Sequence, residues 1–382
     1  MKILFTLNSG THGGMEQHVL DLVNTTVSVG NKVYVWCSEG AMGELYKNSG
    51  ATVEYHRIKL DLDPIYIYSL YKFLVDNKID VVHSHELKAG INTLIAAGLA
   101  GVKNRVTHTH TPISEWKISN FKKKFNSWFY SLVVNLLSSR EVALTESRKR
   151  VKMDEGISEE KLIVIPNCVN YEQFSPELDS IQNNRKEIFQ RYSIDSGAFV
   201  FGCVGRLTIE KGQDTLVKAF AEFMKKVEGE NNIQLLLAGG GVRKEDIDKL
   251  CSTLTIKDKV IITGVFEADG REKYYSAIDI FVLSSRAEGF GIVLLEAMSS
   301  GLPCICSDLE VLQEVGGSTC LYFDTDNFMD LADKMFFFYE KRSELGRLGE
   351  SARNRVKELF SIENFSERYL NLYSELLNGG KK

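Results

Sequence analysis

The chain of 382 residues lacks any cysteine framework: its seven cysteines are scattered, and the Cys304–Cys306 spacing suits neither a CxxC redox pair nor a zinc ribbon. Reduced thiols in a cytosolic protein are the expectation. There is no surplus of positive charge, since the formal net charge is −5, so the chain as a whole is no obvious nucleic-acid binder. No apolar run reaches the roughly 18 residues of a membrane span. The opening "MKILFTL" is too short for the apolar core of a signal peptide. No GxxxxGK[ST] phosphate loop occurs, and no Asp-x-Asp ligand pair stands in a matching loop; "DLD" at 61–63 comes early and abuts Pro64. Histidine is missing from most of the chain: His12, His18, His56, His83, His85, His108 and His110 all lie in the first 110 residues.

What is present is a repeated alternation. Apolar residues make up 44% and charged residues 25%, as in a soluble globular protein, and the length predicts two domains. The buried-strand run "KILFTL" leads into a loop, "NSGTHGG", and then into a helical pattern ending at Gly30. "KVYVWCS", "ATVEYHRI", "DVVHSH", "RVTHTH" and "EVALTES" follow as short strands separated by helical segments. Such alternation indicates a parallel sheet covered on both faces. Around "KLIVIPN" the pattern restarts, and "AFVFGCVGRL" is again strand, glycine loop and helix, followed by "IQLLLAGGG", "VIITGVF", "DIFVLSS" and "LPCICSD". The boundary is placed near 167–180. The last helical stretch, "IENFSERYLNLYSELL", is amphipathic, with Phe365, Tyr369, Leu372, Tyr373 and Leu376 three or four apart. The "GGKK" tail is expected to be disordered.

Two stretches in the second half carry chemistry. In "GRLTIEKG", Arg206 and Lys211 flank a strand-to-helix turn. A helix N-terminus there adds free N–H groups, and the combination suits a phosphate or diphosphate; the bland alternative is two solvated surface cations. In "RAEGFGIVLLEA", Glu288 and Glu296 stand eight positions apart, right after the strand run "DIFVLSS". Ligands of doubly wound sheets bind at carboxyl ends of strands. Gly289 and Gly291 would let backbone approach a ligand, and free amides from Gly291 to Val293 would favour an anion. The carboxylates would repel that anion, so they suit its neutral parts: a carboxylate accepts from two hydroxyls at once, and vicinal diols are sugars. The reading is a nucleotide sugar.

"EGFGIVLLEA" resembles the E-x7-E motif of the retaining glycosyltransferases of family 4, which have the GT-B fold. "GRLTIEKG" resembles that family's diphosphate loop, and "VIPNCVNYEQF" its linker, with Cys168 where glycine is usual. "NSGTHGGMEQHV", "DVVHSHE" and "RVTHTHT" are similar to its N-terminal glycine loop and two histidine strands. The resemblance covers nearly all of residues 1–320. It implies an α/β GT-B architecture: two Rossmann-like domains facing across a cleft. Residues 1–167 with a C-terminal helix at about 360–378 would bind acceptor, and 168–359 would bind the nucleotide-sugar donor. By this resemblance Arg206 and Lys211 bind the donor diphosphate and Glu296 the ribose hydroxyls. Glu288 and the amides of Gly289 to Gly291 hold the donor sugar, and the backbone around Val265 and Phe266 meets the base. Gly13 and Gly14 let the N-terminal loop approach donor and acceptor, and His110 faces the donor sugar, with His108 on the same strand face as the alternative. Gly205, Phe290, Ile292 and Val293 fall in the same donor motifs. His83 and His85 read mostly as core histidines.

The implied activity is retaining transfer from a UDP- or GDP-type sugar to a glycan or lipid-linked acceptor in cell-surface polysaccharide synthesis. No metal or other cofactor is expected, because two cations can offset charge on the leaving diphosphate. A nucleotide-sugar epimerase of the same fold and a catalytically silent partner subunit are the competing readings. From Trp116 to Lys152 the chain carries nine Lys/Arg against two Glu, a local net of +7. "WKISNFKKKFNSWFYSLVVNLLSSR" interleaves lysines with Trp116, Phe121, Phe125, Trp128, Phe129 and Tyr130. It reads as an interfacial helix for anionic lipid or as a core helix with a solvated lysine edge; nucleic acid is not expected. The expected location is the cytoplasm, with peripheral attachment to the inner face of the membrane left open.

Overall fold

The computed structural model describes residues 1–116, 118–175, 177–230, 232–266 and 270–379. Lys117 of the basic stretch, Pro176 and the last three residues of the "GGKK" tail lie outside the described residues. The chain divides into two compact units, Met1–Asn167 together with the residues from Ile362 onward, and Cys168–Ser361.

In the first unit the short apolar runs become β1 (Lys2–Thr6), β2 (Lys32–Cys37), β3 (Thr52–Tyr55), β4 (Val81–His85), β5 (Asn104–His108), β6 (Arg140–Ala143) and β7 (Leu162–Val164). They form one parallel sheet in the order β3-β2-β1-β4-β5-β6-β7. β7, read from sequence as the start of the second repeat, closes this sheet beside β6. The second unit repeats the plan with β8 (Phe199–Val204), β9 (Ile233–Ala238), β10 (Val260–Ile262), β11 (Ile280–Leu283), β12 (Cys304–Ser307) and β13 (Cys320–Phe323). Their order is β10-β9-β8-β11-β12-β13, again parallel. In both sheets the order reverses once, between β1 and β4 and between β8 and β11. β4, β9, β11 and β12 are buried along their whole length, and β4 and β5 bring polar side chains into that interior, among them His83, His85 and His108.

The C-terminal helix Ile362–Gly379 belongs to the first unit. Its apolar stripe buries Phe365, Tyr369, Leu372 and Tyr373, and Ser366 Oγ lies 2.8 Å from Thr25 Oγ1 on the helix Gly14–Ser28. Among the described residues, which include all seven cysteines, no disulfide forms.

The basic stretch does not form one basic surface. Lys152 is fully buried, with its ammonium on the buried Glu141 carboxylate and 2.6 Å from Thr109 Oγ1. Arg148 is buried against Glu115, and Lys149 pairs with Glu159 at 3.0 Å. Strict alternation and charge counting miss this, because Glu141 sits on β6 and its partner on the following helix, Glu146–Asp154. The Tyr130 hydroxyl donates to Glu141 Oε2 at 2.9 Å, and Thr109 donates through both N–H and Oγ1–H to Oε1. Burial alone pushes the Glu141 carboxyl up, but the Lys152 charge and these donors outweigh it and hold it below the usual carboxylate range.

Among the described residues of the stretch, Arg150 and one face of the helix Asn120–Leu137 are exposed. Phe121, Phe125, Trp128, Leu132 and Leu136 form a stripe at helical spacing, with Lys122 and Lys124 beside it. The opposite side of this helix buries Tyr130, Val133 and Val134.

Removing one partner of a buried ion pair strands the other charge. Lys152→Met is therefore expected to destabilise the first unit by about 3–5 kcal/mol, read as a lower urea midpoint at pH 7. An unchanged midpoint would show that Glu141 is satisfied without Lys152.

Candidate functional site

The reversal of strand order leaves the loops after β8 and β11 side by side at the carboxyl edge of the second sheet, where doubly wound sheets bind ligands. The first loop runs from Gly205 through a single 3-10 turn, Ile209–Lys211, into the helix Gln213–Lys226. Gly212 joins them at φ +64°, and a Cβ there would stand 2.0 Å from the Ser284 carbonyl oxygen. Only glycine permits this approach of the two loops. Backbone and side-chain bonds then fix them together: Arg286 N–H donates to the Glu210 carbonyl at 2.7 Å, and Ser284 Oγ–H to the Lys211 carbonyl at 3.2 Å. The Arg286 guanidinium grips Asp214 through two bonds of 2.9 Å, Asp326 at 2.7 Å and the Ile209 carbonyl at 2.7 Å.

That clamp brings Lys211 onto the first glutamate of the acidic motif. Lys211 Nζ donates to Glu288 Oε1 at 2.6 Å, and Ser285 Oγ–H reaches the same oxygen at 2.7 Å. Glu288 is buried. Arg206 is exposed, and among the described residues its side chain has no hydrogen bond or ion pair; its carbonyl accepts from Gln213 Nε2 at 2.9 Å. In the same loop the Thr208 hydroxyl is buried without a hydrogen-bond partner among the described residues.

Glu296 lies on the helix Ile292–Ser299 and is buried, not a surface position. Tyr275 O–H donates to its Oε2 at 2.6 Å, and Arg271 Nη2 lies 2.9 Å from Oε1 as an ion pair without hydrogen-bond alignment. Burial pushes the Glu296 carboxyl above the usual range, against the pull of Arg271 and Tyr275. Phe174 packs on both partners, 5.4 Å from the Arg271 guanidinium and edge-on to Tyr275 at 5.6 Å. Gly291, at φ +94°, caps that helix, and Ile292 and Val293 open it half-buried.

Two residues of the motif differ in role from their neighbours. Phe290 is buried against Phe360 at 5.9 Å, so its side chain is core and only its backbone can serve a ligand, as with Gly289 beside it. Val265 is almost wholly exposed after β10, while Phe266 stacks tilted on Tyr274 at 4.3 Å.

In the first unit, Gly13 and Gly14 are exposed at the start of the helix Gly14–Ser28. His108 ends β5 fully buried, whereas His110, two residues on, is half-buried; their rings stack at 3.9 Å. Of the pair, His110 alone keeps accessible surface. His83 is core, with Nδ1 2.8 Å from the Tyr373 hydroxyl. His85 is more than core: its Nδ1 lies 3.2 Å from His110 Nε2. Burial, reinforced by the neighbouring imidazoles, depresses all of these rings well below the usual histidine range, and it brings His18 down to about 4.

Arg286, Asp214, Ser285, Thr208, Arg271, Tyr275 and His18 were not singled out by sequence. Arg286 and Ser285 adjoin the acidic motif and so were within reach. Arg271 and Tyr275, at helical spacing, give no sign that they fold onto a glutamate some 20 residues later.

Residues 12–173 match the family described as Glycosyltransferase Family 4, and residues 184–355 match Glycosyl transferases group 1. The chain is 28% identical over 330 residues to UDP-Gal:alpha-D-GlcNAc-diphosphoundecaprenol alpha-1,3-galactosyltransferase of Escherichia coli, covering 84% of this chain and 81% of the relative. It is 26% identical over 230 residues to O-antigen biosynthesis glycosyltransferase WclY of Escherichia coli, covering 57% of this chain and 62% of that relative, less than two thirds of its length. Among solved structures, Anabaena Alr3699/HepE in complex with UDP superposes with a TM-score of 0.86 at 20% identity, over 98% of this chain and 100% of that one. With both halves matched in order and the doubly wound plan repeated in each unit, the chain belongs to the GT-B glycosyltransferases of group 1 and family 4.

Proposed function

We propose that the protein transfers a sugar from a UDP-type nucleoside diphosphate donor, with retention at the anomeric carbon, to a glycan or lipid-linked acceptor of cell-surface polysaccharide synthesis. The observation that carries this reading is the Lys211–Glu288 pair at the β8/β11 edge with buried Glu296 behind the same motif. A cation held on a carboxylate is poised to exchange that partner for a diphosphate, freeing Glu288 for sugar hydroxyls. UDP is favoured over GDP by the UDP complex of the Anabaena neighbour and by the name of the Escherichia coli galactosyltransferase. The latter, with its diphosphoundecaprenol acceptor, also supports a lipid-linked acceptor here.

In this scheme the anomeric C–O bond to the diphosphate breaks and its electron pair passes to the phosphate oxygen, while an acceptor hydroxyl oxygen forms the new C–O bond on the same face of the anomeric carbon and gives its proton to the departing diphosphate. Arg206, Lys211 and the amides at the start of Ile292–Ser299 stabilise the charge that develops there. Gly205 and Thr208 shape that loop. Oε1 of Glu296, paired with Arg271 but without an aligned hydrogen bond, keeps a lone pair for a ribose hydroxyl. The backbone at Val265 and Phe266 meets the base. His110, Gly13 and Gly14 supply the first unit's share, with His110 toward the donor sugar. The diphosphate needs no metal in this reading, because cations and amides already oppose its charge.

No described helix is long and apolar enough to cross a membrane. The exposed stripe of Phe121, Phe125, Trp128, Leu132 and Leu136, flanked by Lys122 and Lys124, supports peripheral binding to an anionic lipid surface near such an acceptor.

Melting in the presence of UDP, GDP, ADP, CMP and dTDP is expected to show its largest midpoint rise with UDP. Transfer from UDP-sugars, followed by NMR of the new linkage, is expected to give the donor's own anomeric configuration; an inverted product would overturn retention. Glu288→Gln is expected to lower donor-saturated turnover about 10²–10³-fold, the usual effect of losing one preorganised polar contact, while the UDP-induced melting shift persists. Turnover like the parent's would remove Glu288 from its role. Flotation with anionic vesicles at low salt is expected to carry the protein up, and Phe121→Ser/Trp128→Ser to leave it behind. Failure of the parent to float removes the lipid surface from the proposal.

A further inference from the structure

Of the histidine group of the first unit, the proposed sugar transfer uses His110 alone. His18, His85, His108 and His110 each offer a ring nitrogen, and these atoms lie within 4.8 Å of one another. The fold gathers them from four places. His85 and His108 end neighbouring strands and are in register with each other. His110 follows two residues later on the same face. His18 comes from the first turns of the helix Gly14–Ser28, its ring 4.9 Å from those of both His108 and His110.

From these residues we infer that His18, His85, His108 and His110 form a binding site for one divalent transition-metal ion of the zinc class. Imidazole nitrogen is a ligand suited to zinc, copper, iron and nickel, and four of them fill a tetrahedral set. Nitrogens bound to such an ion at about 2.0–2.1 Å stand roughly 3.3–3.4 Å apart. His85 Nδ1 and His110 Nε2 are already 3.2 Å apart. The widest separation must shorten by about 1.4 Å to reach that spacing, within the reach of ring rotation.

A second observation points the same way. Among the described residues both nitrogens of the fully buried His108 lack a hydrogen-bond partner, so the one that faces the group is available to an ion. Buried polar atoms normally have partners, and orphans call for an explanation such as an ion. A supporting shell is also present. His18 Nδ1 lies 2.7 Å from Asn167 Oδ1, which can only accept, so the ring proton sits on Nδ1 and Nε2 keeps its lone pair. The Tyr369 hydroxyl, 3.3 Å from that Nε2, would be released on ligation. Lys152 bears on His108 and His110, but its charge is offset by Glu141. Half-buried His110 provides the way in.

Such an ion would tie together β4, β5, the helix Gly14–Ser28 and, through Asn167 and Tyr369, the end of the first unit's main segment and the C-terminal helix. The site lies wholly within the first unit and rests on no step of sugar transfer, but it takes His110, so a bound ion and a donor sugar would compete for that ring.

The test uses the full chain, stripped with a chelator and reloaded. Co²⁺ is expected to give the intense visible absorption of a tetrahedral ion, and Zn²⁺ to displace it and remain at about one ion per chain after gel filtration, as a closed four-ligand site requires. His85→Gln and His108→Gln, if folded by circular dichroism, are expected to lose that absorption, while His56→Gln, outside the group, keeps it. Asn167→Ala is expected to weaken Zn²⁺ about 10–100-fold, the effect of losing a supporting hydrogen bond. Should the histidine variants not fold, the parent alone decides: Zn²⁺ but not Mg²⁺ must raise its melting midpoint. A folded parent with only the weak absorption of octahedral Co²⁺, or with Zn²⁺ binding unchanged in folded histidine variants, overturns the site.

Discussion

The constraint on which everything else rests is the all-parallel sheet. A parallel strand cannot return by a hairpin, so every connection crosses a face as a helix, and with a constant hand the chain must start near the middle and wind outward twice. The order then reverses once in each unit, between β1 and β4 and between β8 and β11. At that reversal two loops leave the carboxyl edge in opposite senses and open a crevice. In the second unit those loops carry Lys211 and Glu288; in the first they carry the glycine loop and His85. The same geometry thus builds both candidate sites, and only the side chains make one rich in paired charges and the other rich in imidazole.

Within the second unit the charge arrangement is cooperative. Arg286 does not face the acidic motif's function directly; it holds the 206–211 loop by Asp214, Asp326 and the Ile209 carbonyl. This in turn puts Lys211 on Glu288. Glu296 is held differently, by a tyrosine hydroxyl and a guanidinium inside a buried setting that raises its carboxyl. The two glutamates of one short motif therefore have distinct environments: Glu288 pairs with Lys211, and Glu296 is fixed by Tyr275 and Arg271 with one oxygen unaligned.

The first unit spends its buried polar groups otherwise. Glu141, Lys152, Tyr130 and Thr109 form a closed network behind β5 and β6, and Thr109 lies between His108 and His110 in sequence. That network pins the segment from which His110 emerges. The C-terminal helix adds Tyr369 and Tyr373 to the same histidine-rich interior, so the last residues of the chain help to orient residues near its beginning.

Strand and helix alternation, the positions of the glycine loops and the two acidic and basic motifs were legible in the sequence, because local periodicity and spacing express them directly. Gly291 could be read as a point of close backbone approach for the same reason. The partner of the C-terminal stripe was not legible, since an apolar face says only that it is covered. Nor was the burial of Lys152: charge counting treats every lysine as solvated, and its carboxylate partner came from a strand eleven residues earlier. Likewise Arg271 and Tyr275 reach Glu296, and His18 reaches His108 and His110, through contacts between distant segments. Local sequence specified which elements form and which residues stand at their ends. Tertiary packing alone decided which charges are paired and which imidazoles meet, because those contacts depend on strand order and register rather than on neighbours in the chain.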